Sequence, residues 1–270
     1  MSKNIGVIGA GAWGTAMAQA LARTGHIVEV WAMEQEVVDS INNEHENKKF
    51  LSGFKLSENL TASTDIKKVA SNKEFLILAS PSLYLAKTAQ QLVDVPSIAD
   101  GSTCIGVLAK GFIPSNDGPK LILDTLEEVL PPSYKKSLVY IAGPSHAEEV
   151  AMGKLTGLIA ASENPKNSIR FREVMKGPGL MVYSSLDVIG VQICAAAKNV
   201  IAVVYGCLDA VAEDSELFGD NTESFLLAAG LNEIQTLGFA MGATHPETFT
   251  SISGVGDLDV TCRSKYGRNR

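Results

Sequence analysis

The chain has 270 residues, 46% of them hydrophobic, enough for one large α/β unit or two smaller domains with a real core. A net charge of -7 and a pI near 5.2 exclude an extended positive field, so a general nucleic-acid or anionic-membrane surface is not expected. Four cysteines, Cys104, Cys194, Cys207 and Cys262, form no C-x-x-C pair and sit mostly in apolar surroundings, which argues for buried reduced thiols and against a zinc site.

Only three residues precede the first apolar run, and no stretch of 18 residues is free of charge or strong polarity. A cytoplasmic protein without signal peptide or membrane span is therefore expected. Asn4–Ile8 is a strand candidate that ends in Gly9-Ala10-Gly11-Ala12-Trp13-Gly14; a helical pattern follows over Thr15–Thr24, and Gly25 stops it. A second strand over Ile27–Met33 leads into a polar amphipathic segment, Gln35–Asn43. After an irregular stretch come strands over Phe75–Ala79, Thr103–Val107 and Leu138–Ala142, with helical intervals at Tyr84–Leu92 and Lys120–Leu130. Strands alternating with crossover helices predict a parallel sheet covered on both faces, because a parallel pair cannot be closed by a hairpin. Gly157–Ala161 and Met181–Ser184 extend or flank that sheet.

Beyond Ser185 the pattern changes to long alanine-rich helices, Gly190–Ala212 and Asn221–Met241, joined by an acidic loop over Glu213–Asp220. The fold class predicted is α/β: a Rossmann-like, doubly wound, mostly parallel sheet over residues 1–184, then an all-α substrate domain over 185–270.

The G-x-G-x-x-G motif ends a strand and opens a helix, and a second strand follows, which is the context a dinucleotide site requires. Gly9 permits the tight turn, Gly11 lets the backbone approach a pyrophosphate, and Gly14 brings helix and strand together. Glycines serving an ordinary loop are the alternative. Glu34, 20 residues beyond Gly14, stands where an acid bonds the adenosine ribose, or it is a solvated acid at a helix start. With no lysine or arginine at 32–37, NAD is favoured over NADP.

Lys198 and Asn199 interrupt an apolar run from Val191 to Tyr205. An unpaired ammonium taken out of water costs several kcal/mol, so the position needs a partner, a ligand or a task. In a helix Cys194, Ala195, Ile201, Ala202 and Tyr205 share its face. A lysine snorkelling from a half-exposed helix is the alternative. Lys110 and Ser145 follow strands, where parallel sheets bind ligands.

Together with Gly143-Pro144-Ser145-His146-Ala147, Lys198-Asn199-Val200-Ile201-Ala202-Val203, Gly256-Asp257-Leu258 with Thr261-Cys262, and Arg268-Asn269-Arg270, the chain closely resembles bacterial-type NAD(P)-dependent glycerol-3-phosphate dehydrogenase from Ile5 to Arg270. The resemblance implies reversible hydride transfer between the nicotinamide and dihydroxyacetone phosphate, giving sn-glycerol 3-phosphate, the precursor of glycerophospholipids. It implies Lys198 as proton donor and acceptor, Lys110 as a second cation near substrate and nicotinamide, and Asp257 and Thr261 as the groups that orient them. Substrate contacts would come from Lys110, Gly143, Ser145, Lys198, Asn199, Asp257, Gly267, Arg268 and Asn269. Cofactor contacts would come from Gly9, Gly11, Ala12, Trp13, Gly14, Met33, Glu34, Lys110, Ala147 and Arg268. Arg268 and Asn269 could otherwise form a solvated basic tail. No metal is implied, His146 is read as structural, and a homodimer is left open.

The sequence departs from the pattern in three places. Glu223 and Ala228-Ala229-Gly230 stand where positive residues are usual, and Val204, Tyr205 and Ala210 replace small residues or glycine, so local helix packing must differ. The chain also stops at Arg270, where family members continue through further helices with a cofactor-contacting glutamate; an incomplete helical domain is therefore expected.

Overall fold

A computed structural model of the chain describes residues 2–116, 118–212, 215 and 217–264. β1 (Asn4–Ile8) runs into α1 (Ala12–Arg23), then β2 (Ile27–Trp31), α2 (Gln35–Asp39) and a widened turn at Ser40–Glu44. β3 (Leu60–Ser63), α3 (Ile66–Ala70), β4 (Phe75–Leu78), α4 (Ser82–Gln90) and α5 (Pro96–Ala99) lead to β5 (Cys104–Val107). Next come α6 (Ile122–Val129), β6 (Val139–Ala142), α7 (Ala147–Met152), β7 (Thr156–Ala161), α8 (Pro165–Met175) and β8 (Leu180–Ser185). α9 (Val188–Ala212), α10 (Asp220–Ala240), α11 (Glu247–Thr250) and α12 (Asp257–Arg263) form the helical layer.

The eight strands form one sheet in the order β3-β2-β1-β4-β5-β6-β7-β8. β1 to β6 are parallel; β7 pairs antiparallel with β6, and β8 runs parallel to β7. The central strands are buried along their length, as expected where helices cover both faces. Val7, Leu21 and Ile77 belong to the core on one face; Leu76, Ile105 and Leu126 belong to that on the other. Strand order reverses between β2-β1 and β4-β5, so a crevice opens at the carboxyl ends of β1 and β4, where doubly wound sheets bind ligands.

The expected strands are present with ends shifted by a residue or two. α1 begins at Ala12 rather than Thr15, because the second half of the glycine motif already forms its first turn. β3, α3, α5, α7, α8, α11 and α12 are additional to the expected elements, although Asn164 capping α8 with Pro165 at its first position is a readable start signal. Of the linker expected over Glu213–Asp220, Glu213, Asp214 and Glu216 lie outside the described residues.

α9 is long and apolar enough to cross a membrane by length and composition, but 67% of its most apolar 18-residue stretch is buried, and the helix packs against β6, α10 and α12. Cys194, Ala195, Ile201, Ala202 and Tyr205 lie on its buried side with Lys198, while Val200, Val203 and Val204 are exposed. Tyr205 fills the space a small residue would leave and donates its hydroxyl to the Glu223 carbonyl on α10. One turn away, Gly230 is pressed against Ile201: a Cβ there would lie 2.8 Å from its side chain. Three cysteines are buried as expected, and Cys207 is exposed. Burial lifts the Cys104 thiol to about 11 and the Cys194 thiol to about 12, which leaves both unreactive near neutrality.

Asp187 pins the sheet to the helical layer. Its buried carboxylate accepts from the Gly190 amide at 3.2 Å, the Thr244 amide at 3.2 Å and the Thr248 hydroxyl at 2.7 Å. Asp187→Ala strands those donors, and a loss of about 2–4 kcal/mol is expected from chemical denaturation. A loss below about 1 kcal/mol would show that the pin is dispensable.

Candidate active site

The turn between β1 and α1 gives each glycine a different environment. Gly9 has φ of +123°, and a Cβ on it would come within 2.9 Å of the backbone at Ala79 and Ser80, so glycine is required. A Cβ on Gly14 would overlap the Gly9 carbonyl oxygen. A Cβ on Gly11 would meet nothing within 4 Å, and its φ of -62° suits any residue. Protein packing therefore does not explain glycine at this position. No side chain caps α1, so its first amides are left for another acceptor beside Gly11, an arrangement suited to a pyrophosphate.

Ala12 and Trp13 are half-buried at the start of α1, and the Trp13 indole nitrogen is buried without a partner among the described residues. Ala147 opens α7, which lies against α1 and is tied to it by Arg23 donating to the Val150 and Ala151 carbonyls. Met33 is exposed beyond β2, and Glu34 follows it at the start of α2. These residues rim the crevice and fit a dinucleotide.

Asn47 carries no signal in the sequence that sets it apart from its polar neighbours. Its fully buried amide donates to the Ala10 carbonyl at 2.8 Å and to Thr15 Oγ1 at 2.8 Å, and so fixes the glycine turn from outside. The neighbouring Lys49 reaches Glu34 at 3.4 Å and Glu36 at 2.5 Å. The stretch 32–37 holds no cation, yet the fold supplies one to it.

The second part of the site joins sheet to helices. Lys110 follows β5 and reaches the Gly143 carbonyl at 3.2 Å and Asp257 at 2.9 Å. Gly143, after β6, has φ of +147°, and a Cβ there would lie 2.6 Å from the Gly157 carbonyl oxygen, so the backbone carbonyl is locked in place. Ser145 donates its hydroxyl to the Gly143 carbonyl at 2.9 Å. From α9, Lys198 Nζ donates to Asp257 Oδ1 at 2.5 Å and to Thr261 Oγ1 at 2.8 Å. Thr261 in turn gives its proton to the Asp257 carbonyl at 2.6 Å, so its oxygen is free to accept from the lysine. Asn199, the next residue along α9, is half-buried.

Asp257 is completely buried and shared by two ammoniums, so the cluster carries one net positive charge. Desolvation, and after it the neighbouring Lys110 charge, lower the Lys198 pKa against the opposing pull of Asp257, to about 8 in all. Lys110, Gly143, Ser145, Lys198, Asp257 and Thr261 are thus brought together. Gly267, Arg268 and Asn269 lie outside the described residues. His146 bonds the Val260 carbonyl at 3.4 Å.

A dinucleotide turn at the switch point of a parallel sheet, with a buried lysine of lowered pKa between sheet and helices, defines an NAD(P)-dependent oxidoreductase. The sequence model described as NAD-dependent glycerol-3-phosphate dehydrogenase N-terminus matches residues 4–168, and its C-terminus counterpart matches 187–270. The chain belongs to the NAD-dependent glycerol-3-phosphate dehydrogenase family. A Treponema denticola protein named glycerol-3-phosphate dehydrogenase (NAD(P)+) is 60% identical over 276 residues, covering 100% of this chain and 77% of its own length. A Bacillus velezensis protein of the same name is 37% identical, covering 99% of this chain and 74% of its own. The crystal structure of glycerol-3-phosphate dehydrogenase from Coxiella burnetii superposes with a TM-score of 0.88 at 30% identity, covering 99% of this chain and 78% of that one.

The glycine turn supplies a direct test of cofactor binding. Gly11→Ala should leave thermal stability unchanged yet raise the coenzyme dissociation constant by about 10- to 100-fold, because the methyl group enters the phosphate's space. Gly14→Ala should instead cost about 1–3 kcal/mol of stability. Equal behaviour of the two variants in melting and titration would refute this division of labour.

Proposed function

We propose that the chain reduces dihydroxyacetone phosphate reversibly to sn-glycerol 3-phosphate, with Lys198 as the acid that protonates the C2 oxygen and the base that removes the proton in reverse. The observation that carries this is the lysine's bonding: two of its three N–H groups are engaged by Asp257 and Thr261, which leaves the third for a substrate oxygen. NADH or NADPH, when bound, would supply the hydride for the carbonyl carbon. As negative charge grows on the oxygen, the Lys198 ammonium and the net positive cluster stabilise it and deliver the proton. Lys110 holds the other Asp257 oxygen and adds a second cation for an anionic substrate. Ser145 and Gly143 line the same wall, and the division at residues 184/185 separates coenzyme-binding from substrate-binding parts. Arg268 with Asn269 is the proposed phosphate clamp, a guanidinium fork being suited to bidentate contact. Four cysteines, none of them in a disulfide, fit a reducing, cytoplasmic setting.

The test is the pH profile in both directions. Reduction uses the ammonium, which is present below a pH of about 8 and lost above it. Reductive kcat/KM should therefore be flat below about 8 and fall beyond, while oxidation, which uses the free amine, should rise through the same value. A reductive profile rising through that pH would overturn the assignment, and inactivity with both coenzymes would overturn the reaction.

A further inference from the structure

The adenosine end of the crevice carries a charge arrangement that the glycine motif does not require. Glu34 and Glu36 stand together after β2, and a 2′-phosphate placed there would meet two carboxylates. Lys49 bridges them, at 3.4 Å from Glu34 and 2.5 Å from Glu36, although it comes from a separate turn well along the chain. Its position is built. Asn47 anchors that turn to Ala10 and Thr15 of the glycine loop and accepts from the Phe50 amide at 3.1 Å. The Ser40 hydroxyl adds a bond to the Glu46 carbonyl at 2.6 Å, tying the turn to the segment after α2. The element that shapes the pyrophosphate turn therefore also delivers a cation to the ribose.

We infer that Lys49 is the residue that admits the 2′-phosphate of NADP, leaving its carboxylate partners to pair with that phosphate when NADP binds and staying on them when NAD binds. The inference rests on the coenzyme placement in the proposed function, with the adenosine ribose beside Glu34. A lysine suits this exchange because its ammonium is a compact charge on a flexible stem, with no fixed fork to satisfy. The side chain is partly exposed, so the swap breaks only a solvated ion pair, and such pairs are weak. With NAD, Glu34 remains available to the 2′-hydroxyl. The arrangement thus accepts both coenzymes, whereas the acids alone would select NAD.

The experiment compares NADH and NADPH affinities, by nicotinamide fluorescence titration, for the wild type, Lys49→Ala and Lys49→Arg. 2′,5′-ADP and 5′-AMP serve as probes of the adenosine end alone. Lys49→Ala should lower the NADPH-to-NADH affinity ratio by about 10- to 100-fold, the range for loss of one charge-assisted hydrogen bond, and should weaken 2′,5′-ADP relative to 5′-AMP by a similar factor. Lys49→Arg should keep both ratios within about threefold. Ratios unchanged in Lys49→Ala, or a wild type that does not bind NADPH, would overturn the inference. So would equal weakening of both coenzymes, which marks a merely structural turn. Ketone turnover with unchanged ratios refutes Lys49 and leaves the reaction standing; the expected ratios without turnover refute the reaction and leave Lys49 standing.

Discussion

Replacing Lys198 by alanine is expected to lower kcat for dihydroxyacetone phosphate reduction by roughly 10³- to 10⁴-fold, the combined scale of a lost general acid and a lost oxyanion partner. The variant should still fold, because Asp257 keeps Lys110 as its counter-ion at 2.9 Å. Coenzyme affinity should change little, since the glycine turn is formed by β1 and α1 without help from α9. Lys198→Arg sharpens the test: it keeps the positive charge but cannot deprotonate near neutrality, so oxidation of sn-glycerol 3-phosphate should be lost with reduction. Small primary amines should restore part of the Lys198→Ala rate. Retention of more than about a tenth of wild-type kcat in that variant would remove Lys198 from the chemistry.

The lysine could be singled out in the sequence because an ammonium in an apolar helix is costly, and the helical period placed its neighbours on one face. Its partners were legible only through the resemblance. Asp257 and Thr261 lie on α12, and the contact depends on how α9 crosses that helix, which local sequence does not encode. The sharing of Asp257 between Lys198 and Lys110 was equally hidden. Asn47 shows the limit more sharply. It stands in a polar stretch with Asn42 and Asn43, and nothing in residue type tells which asparagine is buried against the glycine turn. Lys49 escaped for a related reason: a search for cations just after β2 examines neighbours in the chain, whereas charge acts between neighbours in space.

In the sheet, the buried strands were readable from their apolar runs and intervening helices. β3 was not, since Leu60-Thr61-Ala62-Ser63 is a short half-polar edge strand paired, among the described residues, with β2 alone. Nor was the direction of β7 readable. A run such as Thr156–Ala161 has the same pattern either way, and its antiparallel pairing with β6 is set by long-range register. The substitution of Tyr205 for a small residue, which implied altered packing, has its explanation in the bond to the Glu223 backbone on α10.

Asp257→Ala is expected to damage stability as well as catalysis. The carboxylate is fully buried, and removing it leaves the Lys198 and Lys110 ammoniums close together without their shared counter-ion. Breaking a buried pair in this way costs about 3–5 kcal/mol, so a fall in thermal midpoint on the order of 10 °C is expected at neutral pH. The pH dependence gives the cause. Asp257 raises the Lys198 pKa against burial and Lys110, so without it that pKa falls below the wild-type value of about 8. The native variant then binds fewer protons than the unfolded chain, whose lysines titrate near 10.4, and its stability must rise with pH across that window. Wild-type stability gains from the same source only above about 8. The deficit of the variant should therefore shrink as pH is raised from 7 towards 8, read by urea melts at each pH, and its reductive activity should fall off at lower pH than in the wild type. A deficit independent of pH would mean that Asp257 contributes packing and hydrogen bonds to α12 without balancing the lysine charges.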